Sequence, residues 1–279
     1  DLGGAVLVVI GRDARPSGEI IAKIVASTLQ SLGISVVDLG LSTTPTVEIA
    51  VTMEKAAGGI IISASHNPVQ WNALKFLNDK GELISAGEGE SILKHAENST
   101  FHFAEAGNLG SYRQDSSYIQ KHIDKILALP LVDVEAIKAK KFKIVIDCVN
   151  STGGLAIPKL LNALGVSEVV ELNCTPNGLF PHNPEPLPEN LTTLANEVKL
   201  QKAHLGIAVD PDVDRLALIC EDGEMFGEEY SLVAVADYIL RNKRGNTVSN
   251  LSSTRALRDI TEKCQEETPD ITCQYFASA

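Results

Sequence analysis

One plan is laid down three times along this chain: an apolar strand, a turn of small and polar residues, an amphipathic helix, and a second strand. In the first pass residues 5–10 are the strand and 11–18 (Gly-Arg-Asp-Ala-Arg-Pro-Ser-Gly) the turn, followed by a helix through Leu29 and a strand over 34–39. The second pass has a strand at 142–146, a turn at 147–154, a helix through Leu161 and a strand at 169–172. The third opens with a strand at 246–250, turns at 251–255 and enters a helix from Ala256 before the sequence stops at Ala279. The repeat is one of pattern, not of identity. A strand, a crossover helix and a second strand dictate a right-handed unit with a largely parallel sheet and with binding loops at the strand C-terminal ends. The fold class expected is therefore α/β, with serial domains of similar topology and mixed sheets sandwiched by helices.

At 279 residues the chain exceeds one ordinary core. The expected boundaries are 1–138 for a first domain, 139–226 for a second and 227–279 for part of a third. Residues 118–139 read as helical with an interruption at Pro130. Residues 176–188 carry five prolines, which excludes a helix and predicts an extended connection.

Composition matters here mainly for what it excludes. No apolar run approaches the roughly 20 residues that span a bilayer, and no signal segment is visible, so no membrane partner and a cytoplasmic location are expected. The five cysteines form no C-x-x-C pair, which argues against a disulfide framework or a zinc site and for a reducing compartment. A net charge of −12 argues against a nucleic-acid surface. An anionic ligand would have to be held by a local cluster of cations and backbone N–H groups against that field.

Two short segments carry the chemistry. Residues 63–68 (Ser-Ala-Ser-His-Asn-Pro) close an apolar run that reads as a buried strand from Gly58 to Ser65. A turn there exposes the Ser65 hydroxyl and lets backbone N–H groups face a phosphate. An ordinary strand-to-loop turn accounts for the same residue types. Residues 210–215 (Asp-Pro-Asp-Val-Asp-Arg) lie between two apolar strand pieces within 205–220. Carboxylates at i, i+2 and i+4 repel one another. A divalent cation with oxygen ligands resolves this, and Mg²⁺ suits a site completed by phosphate; the plain alternative is a solvated acidic turn. An EF-hand is rejected, because Arg215 stands where Gly is required and the flanks are strands.

Lys75 lies ten residues after Ser65 on a segment expected to return as a hairpin-like strand. It could bind phosphate or, with a lowered pKa, move a proton; a surface lysine reads as well. The turn at 11–15 offers Arg12 and Arg15 to phosphate but lacks the spacing of a Walker loop. Pro181-His182-Asn183-Pro184 echoes His66-Asn67-Pro68, and His182 reads as structural.

Taken together these segments resemble the α-D-phosphohexomutase superfamily of phosphoglucomutases, phosphomannomutases and phosphoglucosamine mutases. The family's T-x-S-H-N-P loop is matched at 63–68 with Ser63 for Thr, and its D-x-D-x-D-R loop at 210–215. Its G-R-D-x-R turn is matched at 11–15, and its N-G-x-K segment at 72–75 with Ala73 for Gly. The resemblance implies that Ser65 is phosphorylated and that Asp210, Asp212 and Asp214, with an oxygen on Ser65, hold Mg²⁺. It implies Ser65, His66 and Lys75 as catalytic, Lys75 being the acid/base, and Arg12, Arg15, Asn67 and Arg215 as phosphate or substrate contacts. The implied reaction is reversible phosphoryl transfer between the 1- and 6-positions of a hexose or hexosamine phosphate, with a hexose 1,6-bisphosphate as intermediate and activator. The implied partner is a small sugar phosphate; neither the sugar nor the oligomeric state is determined. The family has four domains, and its N-terminal arginine motif, third-domain sugar loop and fourth-domain phosphate loop have no counterpart here. The expectation is thus a C-terminally incomplete chain without domain IV. A non-catalytic sugar-phosphate or Mg²⁺-binding module is the alternative. A D-x-D phosphatase is a weaker one, since that class places its Asp pair after the first strand.

Overall fold

The first branched-residue run does form a strand. In this computed structural model, which describes residues 6–98, 101–227, 229–250, 253–265 and 273–276, β1 is Leu7–Arg12, α1 Gly18–Ser31 and β2 Ser35–Leu41. They are followed by α2 (Thr44–Glu54), β3 (Gly58–Ile62), β4 (Leu74–Leu77), α3 (Ala86–Asn98) and β5 (Tyr112–Gln114). The sheet order is β4-β3-β1-β2-β5, parallel except for β4. Strand alternation sends Val9, Val37 and Ile61 to one face, against Val47 and Val51 of α2. Ile10, Val36, Ile60 and Ile62 go to the other, against Ala22 and Ala26 of α1. Each fully buried aliphatic side chain contributes about 1.5–3 kcal/mol, so both helices are held by the sheet more than by their own propensity.

The helical stretch at 118–139 is two helices, α4 (Tyr118–Leu127) and α5 (Val134–Ala139), parted around Pro130 as the proline requires. The second sheet contains β6 (Lys143–Asp147), α6 (Gly153–Ala163), β7 (Glu168–Leu172), α7 (Thr192–Gln201), β8 (Leu205–Val209) and β9 (Leu216–Cys220). Its order is β7-β6-β8-β9, with β9 antiparallel. Again two faces are covered, one by Leu194 and Val198 of α7 and the other by Leu161 of α6. Residues 176–187 form neither helix nor strand, as their prolines require, but they are bent rather than extended: bends recur at 177–178, 181–182 and 184–185, Gly178 takes φ 73°, and Pro188 opens a short 3-10 turn (Pro188–Asn190). The last part has α8 (Tyr230–Asn242), β10 (Thr247–Asn250), α9 (Ala256–Gln265) and β11 (Cys273–Phe276), with β10 and β11 parallel. Residues 5, 251, 252 and 279, at the expected first strand, third turn and chain end, lie outside the described residues. Among the described residues no helix is long and apolar enough to cross a membrane.

One expectation about local structure is corrected. The strand reaching Ser65 stops at Ile62, because Ser65 takes φ 48°, in the left-handed region. Strand pairing cannot continue through that conformation.

Candidate functional site

The C-terminal ends of β1 and β3 in one sheet face those of β6 and β8 in the other. Ser65 sits in the loop after β3. Its backbone N–H donates to Ser63 Oγ (2.9 Å), whose hydroxyl donates to Asp13 Oδ2 (2.8 Å). Arg15 Nη2 donates to the carbonyls of Ser65 (2.6 Å) and Asn67, while Nη1 pairs with Asp13. Arg15 and Asp13 are both fully buried. The left-handed φ at a non-glycine residue costs on the order of 1–3 kcal/mol; these bonds hold it. Arg15, assigned to phosphate on sequence grounds, therefore lies beneath the serine loop with its fork turned to backbone oxygens.

The acidic loop closes the β8–β9 hairpin, in which Val209 pairs with Leu216. Val213 takes φ 62°, an outlier for a β-branched residue. Asp210 Oδ1 accepts the N–H groups of Asp214 (3.1 Å) and Arg215 (3.0 Å). Ser151 and Thr152, between β6 and α6, donate to the Pro211 carbonyl at 2.6 and 2.8 Å. From the first sheet, Thr44 at the start of α2 donates its N–H to the Asp212 carbonyl (2.8 Å) and its hydroxyl to Asp212 Oδ2 (2.6 Å). Loops from both sheets are thus tied together at the acidic segment.

Across the cleft, Ser65 Oγ donates to Asp210 Oδ2 at 2.6 Å and lies 3.3 Å from Asp214 Oδ1. Lys75 stands opposite Ile61 in the β3–β4 pair, as the hairpin reading expects. Its Nζ donates to Asp212 Oδ2 (2.6 Å) and Asp214 Oδ2 (2.7 Å). Burial works to lower the Lys75 ammonium, but the Asp212 and Asp214 carboxylates outweigh it and hold its pKa above the ordinary lysine value, not below it. Burial, then repulsion from Asp212 and Asp214, pushes the Asp210 carboxyl up to about 8. His66 Nδ1 is 3.4 Å from Ser65 Oγ, and Asn67 is exposed at the loop tip. Arg12 is half-buried, with Nη1 on the Asp13 carbonyl (3.3 Å). Arg215 Nη1 donates to Glu185 Oε1 at 3.1 Å.

The triad fits a hard divalent cation. Asp210, Asp212 and Asp214 each offer an oxygen, all within 4.8 Å of one another. Asp212 Oδ1 is buried with no hydrogen-bond partner among the described residues, because Thr44 and Lys75 both take Oδ2. An orphaned buried carboxylate oxygen beside two other carboxylates is what a cation would satisfy. Sequence reasoning missed Thr44, Glu185 and Asp13. The Thr-Thr-Pro start of α2 is a helix cap signal and Asp13 stands inside the G-R-D-x-R turn at 11–15; nothing local pointed to Glu185.

By fold and site this is a two-sheet α/β chain whose facing loops bring a serine hydroxyl onto an acidic triad. The profile described as "Phosphoglucomutase/phosphomannomutase, alpha/beta/alpha domain I" matches residues 3–103, and that for domain II matches 120–223. The chain belongs to the α-D-phosphohexomutase superfamily. A phosphoglucomutase/phosphomannomutase of Thermococcus kodakarensis is 38% identical over 92% of this chain and 56% of its own length. A probable phosphoglucosamine mutase of Methanopyrus kandleri is 33% identical over 93% of this chain and 56% of its own. The chain thus spans about half the length of the curated relatives it matches. A Burkholderia thailandensis phosphoglucomutase/phosphomannomutase family protein superposes with TM-score 0.84 at 27% identity, over 99% of this chain and 59% of its own.

Proposed function

We propose that Ser65 carries a phosphoryl group between the 1- and 6-positions of a hexose or hexosamine phosphate. The observation that carries this reading is Ser65 Oγ lying 2.6 Å from Asp210 in a cleft where Asp212 Oδ1 is buried without a partner among the described residues. Phosphorylated Ser65 gives its phosphoryl group to the free hydroxyl of a sugar monophosphate. The Oγ–P bond breaks, a sugar O–P bond forms, and the sugar hydroxyl proton is released. The resulting bisphosphate turns over and returns its other phosphate to Ser65. Asp210, Asp212 and Asp214 would hold Mg²⁺, which when bound supplies positive charge to the transferring group. Lys75, held as the ammonium, is the acid that protonates the departing Ser65 oxygen, and becomes the base for the return step. Arg215, held at the rim by Glu185, and Arg12, at the C-terminal end of β1, orient the phosphates. His66 and Asn67 shape the loop tip, and Arg15 sets the Ser65 backbone from below.

Intact-protein mass spectrometry after incubation with glucose 1,6-bisphosphate and Mg²⁺ tests this. The expected result is one phosphoryl group on the wild type and none on Ser65→Ala. Mg²⁺ binding without any transfer to Ser65 would mark a binding module instead. Phosphatase activity kept in Ser65→Ala and lost in Asp210→Asn would mark an aspartyl phosphatase.

A further inference from the structure

The proline-rich segment at 176–188 reaches from the second sheet to the serine loop of the first, and its packing shows how closely it is held there. Gly178 has φ 73°, and a Cβ at that position would stand 2.0 Å from the Ala14 carbonyl oxygen, so only glycine allows the approach. Its N–H donates to the Asn150 carbonyl (2.9 Å), and Asn150 Nδ2 donates to the Leu179 carbonyl (3.0 Å). The Phe180 ring lies 5.2 Å from the Arg15 guanidinium carbon, within cation–π range. Next comes His182, whose Nε2 meets Asp147 Oδ2 at 3.1 Å and whose Nδ1 meets the Asn183 carbonyl at 2.8 Å. Both ring nitrogens face oxygens that only accept, an arrangement that favours the doubly protonated ring beside the buried Asp147 carboxyl.

These anchors deliver Glu185 to the rim of the cleft. Its N–H donates to Asn183 Oδ1 (3.1 Å), and its carbonyl accepts from Leu187 N and Asn190 Nδ2 (both 2.8 Å), so the backbone is held on both sides of the side chain. Glu185 Oε1 accepts from Arg215 Nη1 at 3.1 Å and stands 3.9 Å from His66 Nε2. The other guanidinium nitrogens of Arg215 have no partner among the described residues. One edge of the planar fork is therefore held and the other is presented. A carboxylate repels phosphate, so Glu185 is not itself a phosphate ligand; its effect is on the orientation of its neighbours.

We propose that Glu185 is a positioning residue for phosphoryl transfer at Ser65: from the proline strap, it fixes the Arg215 guanidinium beside the serine loop, within 3.9 Å of His66. This rests on the phosphoryl-transfer reading above. The experiment has two arms, on the intact protein. In the first, Glu185→Ala and Glu185→Gln are mixed with Mg²⁺ and glucose 1,6-bisphosphate, and the rate of Ser65 phosphorylation is followed by quenched-flow mass spectrometry. Glu185→Ala is expected to slow transfer by about 10- to 100-fold while the final extent on Ser65 is unchanged. Added acetate should restore part of the rate, and Glu185→Gln, which keeps one acceptor oxygen, should fall between. In the second arm, the guanidinium N–H resonances of Arg215, assigned by their loss in Arg215→Lys, are expected to show hindered rotation in the wild type and free rotation in Glu185→Ala. Transfer at the wild-type rate in Glu185→Ala, or Arg215 signals unmoved by the substitution, overturns the proposal. Absence of transfer in the wild type overturns the parent reading, and the guanidinium signals then decide on their own whether Glu185 holds Arg215.

Discussion

Arg12 and Arg15 occupy one five-residue turn, yet their side chains do different things. Arg12 stays half-exposed with its guanidinium on the Asp13 carbonyl, whereas Arg15 is fully buried on Asp13 and two carbonyls of the serine loop. Burial pushes the Asp13 carboxyl up against the pull of Arg15, so the pair is balanced rather than strongly stabilising. Removing one partner is a different matter. Arg15→Met is expected to cost about 3–5 kcal/mol in urea unfolding, and the double variant Asp13→Asn/Arg15→Met less than the sum of the singles. Thr44 is the second residue whose role is geometric. By taking Asp212 Oδ2 it leaves Oδ1 buried with no hydrogen-bond partner among the described residues. Thr44→Val is expected to weaken Mg²⁺ binding by about 10- to 100-fold, with Thr44→Ser close to wild type, as titration calorimetry would measure.

At the scale of elements, the strap between β7 and α7 is held by an ion pair that titrates. Asp147 raises the His182 pKa, against burial, which lowers it, and the Asn183 carbonyl adds to the rise. Among the described residues Asp147 is the charged group on the ring, and the Asn183 carbonyl accepts on its other side. With a folded pKa above the unfolded value of about 6.5, the folded state holds the proton more tightly. The pair's contribution to stability is then fully present below about pH 6.5 and falls as pH rises through the folded value. Urea unfolding across this range is expected to show that decline in the wild type and to lose it in His182→Gln. Gly178→Ala is expected to destabilise the contact between strap and first sheet, because the added methyl meets a backbone carbonyl that cannot move aside; a lower thermal midpoint would report it.

Across the whole molecule, a net charge of −12 surrounds a cleft that holds Lys75 on the acidic triad and Arg215 on Glu185. The triad comes from one sheet, and the groups that orient it, Thr44 and Lys75, from the other. A cation bound there is linked to the association of the two sheets as well as to the loop itself. Mg²⁺ is therefore expected to raise the thermal midpoint beyond an ionic-strength control, by about 2.7 kcal/mol of stability at a hundredfold excess over its dissociation constant. Asp212→Asn should abolish that response in a fluorimetric melt.

What could be read along the chain was what neighbours in sequence decide. The strand–turn–helix repeat marked the two main sheets, because alternation and proline placement act over a few residues. The acidic triplet and the Ser65 loop were visible because their spacing is local, and Lys75 because β4 returns antiparallel to β3 with Ile61 opposite it. The meeting of Ser65 and Asp210 across 145 positions was expected only through the family resemblance and took its geometry from the tertiary structure, which alone decided the burial of Arg15 and the placing of Thr44 and Glu185. Each depends on which loop edge meets which, and packing of the two sheets sets that over distances at which no local periodicity survives.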